Sequence, residues 1–212
     1  MELREQVSMI SREESGVILA RKLARYTGTD AVVIGIPQSG LPVAVAIARQ
    51  LALPLDVIPA QRVNHPGNNA LNLGSVCLTE VVMPADTGGI PQDLVAHQIA
   101  ILKARNANDN RYYHQKKPPI SLAHRTVIVV DDMLHSSEVL AACIHEIRKQ
   151  KPGKVVVAIP IVEAEAARVL IAEVDELHFI RMEHEIGTSK KYYSDTTRPS
   201  RQEIRRFVET GS

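Results

Sequence analysis

Three stretches of this chain are unbroken aliphatic: Ala31 to Ile34, Val127 to Val130, and Val155 to Ile159. Runs of that length without polar alternation are what strands buried on both faces look like. Two further segments read as strands, LPLDVIPA (53–60) and 175–181. The strands expected at 31–36, 53–60, 126–131, 154–160 and 175–181 are separated by helical patterns. The clearest of these lie at 41–52, 137–150 and 163–173. Such alternation predicts a doubly wound, five-stranded parallel α/β sheet with helices on both faces. Tryptophan is absent and aromatic residues make up 3%, so the core must be aliphatic.

The flanks are less regular. Ser11-Arg-Glu-Glu14 has the capping-box pattern, and Val17, Ile18, Leu23 and Tyr26 suggest a helix stripe ending near Gly28. NHPGNN (64–69) reads as a loop, 75–83 as a strand and PADTGGIP (84–91) as a turn. From Pro91 a helix carries Leu94, Val95, Ile99 and Leu102 and runs towards Pro118. Arg111 to Lys117 then reads as a solvated helix end or as a hood that closes over substrate. After an irregular stretch at 187–198, Ser200-Arg-Gln-Glu203 begins a last short helix. The expectation is one domain over 1–212, with a hood at about 64–118 and a C-terminal arm at 182–212.

Composition narrows the function classes. A net charge of +1 gives no footprint for nucleic acid. No run of 18 apolar residues predicts a membrane span. The two cysteines, Cys77 and Cys143, lack CxxC spacing. With the charged first residues, MELREQVSMISREE, this suggests a reduced, cytoplasmic protein without a secretion signal.

The chemistry concentrates at VIVVDDMLHSSEVL. Asp131 and Asp132 stand at the carboxyl end of a buried strand, where open α/β sheets bind ligands. A helix start follows, offering free N–H groups and a partial positive charge. Two carboxylates beside an anion-binding turn suit a ligand with hydroxyls or a metal at one end and a phosphate at the other. A receiver domain also ends its first strand in acids. Here too little chain follows for one, and the next strand ends in proline rather than a phosphorylatable aspartate.

The hydrophobic strand, acidic pair and short polar loop together resemble the type I phosphoribosyltransferases. IGIPQSGLPVAVAIARQLALPLDV is similar to that family's first loop, near P-R-G-G-x-P-V-A. HPGNNALNLGSV, KKPPISLAHRTVIVVDD and KYYSDTTRPSRQEI resemble segments of a bacterial subgroup of unassigned substrate. The resemblance implies a transferase of nucleotide metabolism. It would move phosphoribosyl from phosphoribosyl pyrophosphate (PRPP) to a nucleobase-like acceptor, releasing pyrophosphate. It also implies Mg2+ bound with PRPP and a homodimer. Asp131 and Asp132 would be the catalytic pair, holding the ribose hydroxyls and the metal. Met133, Leu134, His135, Ser136, Ser137, Glu138 and Val139 would cradle the 5-phosphate. Gln38, Ser39 and Gly40, with Arg62, would contact pyrophosphate.

Several of these positions depart from the family pattern. Gln38 and Ser39 replace Arg and Gly, removing a bidentate cation and adding a side chain. Ser137 and Val139 replace Gly and Thr. Glu138 places a carboxylate in the cradle; at about 6 Å from a phosphate charge this costs roughly 3 kcal/mol at an effective dielectric near 20. Reduced activity is therefore expected, and the alternative is a nucleotide or sugar-phosphate sensor on the same fold. A glutamate in a helix's first turn is also ordinary dipole complementation. Tyr192 and Tyr193 either stack on a base or a partner subunit, or pack in the core.

Overall fold

A computed structural model describes residues 10–65, 68–84, 89–195 and 197–211. The predicted sheet is present. Its strands are β1 (Val32–Gly35), β2 (Leu55–Val57), β6 (Thr126–Val130), β7 (Met133–Leu134), β8 (Lys154–Glu163) and β9 (Glu176–Glu183), all parallel. The order is β2-β1-β6-β8, with β7 also on β8 and β9 on its other side. Thr126 pairs with Lys154 and Met133 with Ile161, so one register holds across β6 and β7. The two segments are one strand position, interrupted only at Asp131 and Asp132. Pro160 stands level with Asp132 and has no N–H to continue the ladder.

Helices cover both faces. α1 (Arg12–Lys22) and α2 (Leu41–Leu51) pack on one face, and α4 (Glu138–Arg148) and α5 (Ala164–Leu170) on the other. The Ser11 and Ser200 capping boxes both form, the second starting α6 (Arg201–Thr210). Of the expected stripe, Leu23 and Tyr26 are buried, but within α1 the buried residues are Arg12, Ser15, Gly16, Leu19 and Ala20, while Val17 and Ile18 are half-buried. The reason is close helix contact. A Cβ on Gly16 would lie 2.6 Å from both the Ala46 Cβ and the Val43 carbonyl oxygen. Small residues set this interface, so a search for large apolar side chains selects the wrong face.

The hood is a second sheet, antiparallel, of β3 (Ala60–His65), β4 (Asn68–Cys77) and β5 (Glu80–Val82), with α3 (Gln92–Tyr113) packed on it. It begins at Ala60, before the expected boundary, and the strand expected at 53–60 divides into β2 and β3. The loop expected at 64–69 belongs largely to β3 and β4, and its Pro66 and Gly67 lie outside the described residues, as do 85–88 of the expected turn. Cys77 and Cys143 are both buried and free. Burial pushes the Cys77 thiol up, with the neighbouring Cys143 thiol adding to it.

The end of α3 is not a solvated tail. Tyr113 is 4% exposed, and the next residue, His114, is buried against Asp56 of β2, Nε2 to Oδ1 at 2.7 Å. Asp56 also accepts from the Val57 and Ile120 amides. An aspartate inside an apolar strand needs such partners, and these tie the hood helix to the sheet. Burial alone would lower the His114 pKa; the hydrogen bond and charge of Asp56, with the Asn110 carbonyl, outweigh it and leave the pKa raised. A raised folded-state pKa stabilises fully below the unfolded value of about 6.5 and ceases to do so as pH climbs through the folded one. We expect the urea midpoint of the wild type to fall over that window above pH 6.5, and that of His114→Gln to start lower and stay flat there.

Candidate active site

Asp131 and Asp132 form the floor of a cleft of about 800 Å3 between the carboxyl ends of the sheet and the hood. They are adjacent in sequence but differently placed. Asp132 is 6% exposed and is held from below by Arg12, itself 2% exposed. Nε and Nη2 of Arg12 both donate to Oδ2 of Asp132 at 2.9 Å. Nη1 of Arg12 donates to the Asp195 carbonyl at 2.6 Å and to its carboxylate at 3.3 Å. The Tyr193 hydroxyl donates to the Asp132 carbonyl at 2.7 Å, and its ring lies 4.3 Å from the Arg12 guanidinium carbon. Burial pushes the Tyr193 pKa up, and the Asp132 charge adds to that. Tyr192 and Tyr193 are each 2% exposed and pack with Met133 and Ile161. They are core residues.

Asp131 keeps part of its surface open to the cleft. Its Oδ1 accepts the Asp132 amide at 2.8 Å. Crowding by protein atoms raises its pKa well above the usual carboxylate value, and the charge of Asp132 adds to this, while Arg62 opposes it. The first loop fits tightly against this residue. A Cβ on Gly40 would stand 2.7 Å from Asp131 Oδ1 and 2.9 Å from its Cα. Gly40 is thus required for close approach. Gln38 sits at φ 74°, a left-handed conformation that costs a non-glycine residue about 1 kcal/mol or more. Gln38 and Ser39 line the cleft beside Pro37.

The expected phosphate loop begins as strand. Met133 and Leu134 pair with Ile161 and Val162, and their side chains are 9% and 2% exposed. This removes part of their backbone from any cradle and leaves His135, Ser136 and Ser137 as the turn. Ser137 is the N-cap of α4, with no side-chain cap on the amides. Met133, Leu134, His135, Ser136 and Val139 all line the cleft; Ser137 and Glu138 do not. The side-chain oxygens Ser136 Oγ and Glu138 Oε2 are buried without a hydrogen-bond partner among the described residues. Burial lowers the His135 pKa and the charge of Arg62 lowers it further, which favours neutral imidazole.

The hood wall carries residues that the sequence did not single out. Arg105, Asn106, Asp109 and Tyr113 reach the cleft from α3, and Ser189 and Arg198 from the C-terminal segment. Gln61 donates to Asn106, which donates to the Val76 carbonyl, both at 2.9 Å, so this wall is internally braced. Only the basic character of Arg105 and Arg198 was visible in sequence, and basic residues on a helix or tail are usually solvated. Among the described residues no three of His, Cys, Asp or Glu come together as a metal cage.

A family model for the phosphoribosyl transferase domain matches residues 10–187, and this chain belongs to that family. A Mycobacterium tuberculosis protein provisionally named a phosphoribosyl transferase is 29% identical over 157 residues. That match takes in 71% of this chain but only 35% of the mycobacterial protein, about a third of its length. The crystal structure of the protein TT1426 from Thermus thermophilus matches with a TM-score of 0.78 and 25% identity, over 96% of this chain and 99% of that one. A hypoxanthine-guanine phosphoribosyltransferase from Bacillus anthracis shares the fold at 13% identity, with a TM-score of 0.51 and coverage of 91% and 94%. A Pyrococcus horikoshii purine phosphoribosyltransferase does so at 18% and 0.50, with coverage of 82% and 84%. The fold is that of the type I phosphoribosyltransferases.

Two substitutions probe this floor. Arg12→Met leaves Asp132 buried without its cation, and should cost about 3–5 kcal/mol in chemical denaturation. Gly40→Ala meets backbone that cannot yield cheaply. It should cost about 1–3 kcal/mol and weaken any ligand held by Asp131.

Proposed function

We propose that this protein transfers phosphoribosyl from Mg2+-bound PRPP to a nucleobase-like acceptor and releases pyrophosphate. The observation that carries this reading is the cleft itself, where a carboxylate and the start of α4 meet under an arginine-bearing hood. The sugar hydroxyls donate to Asp131. Asp132, neutralised by its pair with Arg12, fixes the backbone of the acidic pair. The 5-phosphate lies at the turn of His135 and Ser136 and the start of α4 near Val139, where a helix N-terminus favours an anion. Pyrophosphate lies against Gln38 to Gly40 and Arg62.

In the reaction the bond from the sugar C1 to pyrophosphate oxygen breaks, and its electron pair leaves with pyrophosphate. A ring nitrogen of the acceptor forms the new bond to C1 with its lone pair; where that nitrogen carries a hydrogen, the proton passes to solvent. Positive charge develops on the sugar ring above Asp131, and negative charge develops on the leaving group beside Arg62. Fixed charges opposite in sign to the developing ones interact more strongly with the transition state than with the ground state, which is the requirement for catalysis. Two carboxylates, one of them engaged by arginine, do not make a resident magnesium cage. They suit an ion that arrives on the substrate's phosphates, as magnesium commonly does. Glu138 does not line the cleft, so it does not oppose the 5-phosphate directly. Gln38 and Ser39 still lack the cation of the family pattern, and a slow reaction is the consequence.

Calorimetric titration with PRPP and Mg2+ tests the reading. We expect micromolar binding by the wild type, at least tenfold loss in Asp131→Asn, and less than threefold change in Glu138→Gln. Because the Asp131 pKa is raised and its ionised form accepts the hydroxyls, affinity should fall as pH drops through that raised value. Absence of binding to the wild type would overturn the proposal.

A further inference from the structure

The charges of the cleft do not cancel, and the imbalance says something about the acceptor. Arg62, Arg105 and Arg198 approach one space from three different elements. Among the described residues none of the three has a carboxylate within ion-pair distance. Outside the cleft the arginines are mixed: Arg148, Arg168, Arg181 and Arg205 each face a carboxylate, whereas others among the described residues sit exposed on the surface without one; what sets these three apart is that they converge on one cavity. Of the three acids that line the cleft, Asp131 lies on its floor and the other two are neutralised from outside it. Asp132 is taken by Arg12, and Asp109 by Arg201 at 2.8 Å. What remains is a cavity with surplus positive charge on its hood side.

The three arginines are not equivalent. Arg62 lines the cleft from β3 on the side of Asp131 and His135, and its charge acts on both. Arg105 stands on α3 in the company of Asn106, Asp109 and Tyr113. Its Nη1 lies 3.5 Å from the Gln61 amide oxygen, which orients it without neutralising it. Arg198 faces the cleft from the C-terminal segment beside Ser189. Nor does this half offer a stacking platform. Tyr113 is the aromatic residue there. It is 4% exposed, with its ring edge-on to Tyr112 at 6.1 Å between centroids. A flat neutral base held by apolar or aromatic faces finds neither here, whereas a guanidinium is well suited to a planar oxyanion.

We propose that the acceptor is a ring bearing a carboxylate, and that Arg105 and Arg198 select it by that charge. This rests on the transferase reading for its orientation in the cleft, but it can fail separately. The test titrates two acid and neutral pairs, orotate against uracil and nicotinate against nicotinamide. Each is titrated into the full-length protein with and without saturating ribose 5-phosphate, Mg2+ and pyrophosphate. In at least one pair the acid should bind tenfold or more tightly than its neutral partner. That advantage should shrink at least fivefold in Arg105→Gln and in Arg198→Gln, with melting temperatures confirming that both variants are folded. No preference for the acid in either pair, or a preference untouched by both substitutions, overturns the inference. PRPP titration separates the two levels. If Arg105→Gln loses PRPP affinity as severely as Arg62→Gln, Arg105 belongs to the sugar-phosphate half and the inference falls while the transferase reading stands. If the wild type binds no PRPP, the transferase reading falls, and the acid preference measured without sugar phosphate still decides the inference.

Discussion

The ion pair between Arg12 and Asp132 is the contact on which the rest of the site depends. Two adjacent carboxylates at a strand end repel one another and lose hydration as the sheet closes round them. Here one of them is neutralised from beneath by a fully buried guanidinium, and the other is left to face the cleft. The pair also gathers distant chain. Arg12 opens the first helix, Asp132 ends the central strand, and Tyr193 and Asp195 come from the C-terminal segment. Desolvating two charges is costly, and such a pair is weak evidence for stability. Its role is geometric: it holds the interrupted strand in register and keeps Asp131 pointing at the space above.

The hood depends on a second buried pair in a comparable way. Asp56 in the edge strand of the main sheet holds His114 at the end of the hood helix. α3 carries Arg105, Asn106, Asp109 and Tyr113 into the cleft, so the placement of the hood wall follows from that anchor. The site therefore lies between two bodies of different construction. Below is a parallel sheet whose central strands β1, β6 and β8 are buried almost throughout; above is a small antiparallel sheet with its own minor core of Val63, Leu73, Val76 and Leu102. In the proposed reaction the floor would fix the sugar phosphate, and the hood wall would select what meets it.

Much of the floor was legible in the sequence. Uninterrupted valine and isoleucine runs have few options other than central parallel strands, and an acidic pair at such an end marks the ligand side. The two capping boxes located helix starts to the residue. Other features were hidden for physical reasons. Arg12 looks like an ordinary charged residue in a helix's first turn, because nothing local reveals that its partner is Asp132 across the fold. Met133 and Leu134 extend the strand past the aspartates, a pairing set by β8 rather than by their own two residues. The helix face of α1 was misread because Gly16 and Ser15 pack closely where larger side chains were expected. Arg105 and Arg198 gain meaning only from what they lack, a carboxylate neighbour, and a sequence does not show neighbours.

The most direct measurement is a crystal structure of the protein soaked with ribose 5-phosphate. The account predicts the phosphate on the amides between His135 and Val139 at the start of α4, the ribose hydroxyls within hydrogen-bonding distance of the Asp131 carboxylate, and the Arg12–Asp132 pair intact beneath them. A sugar phosphate bound away from that turn, or an Asp132 released from Arg12 to grip the ribose in place of Asp131, would contradict it.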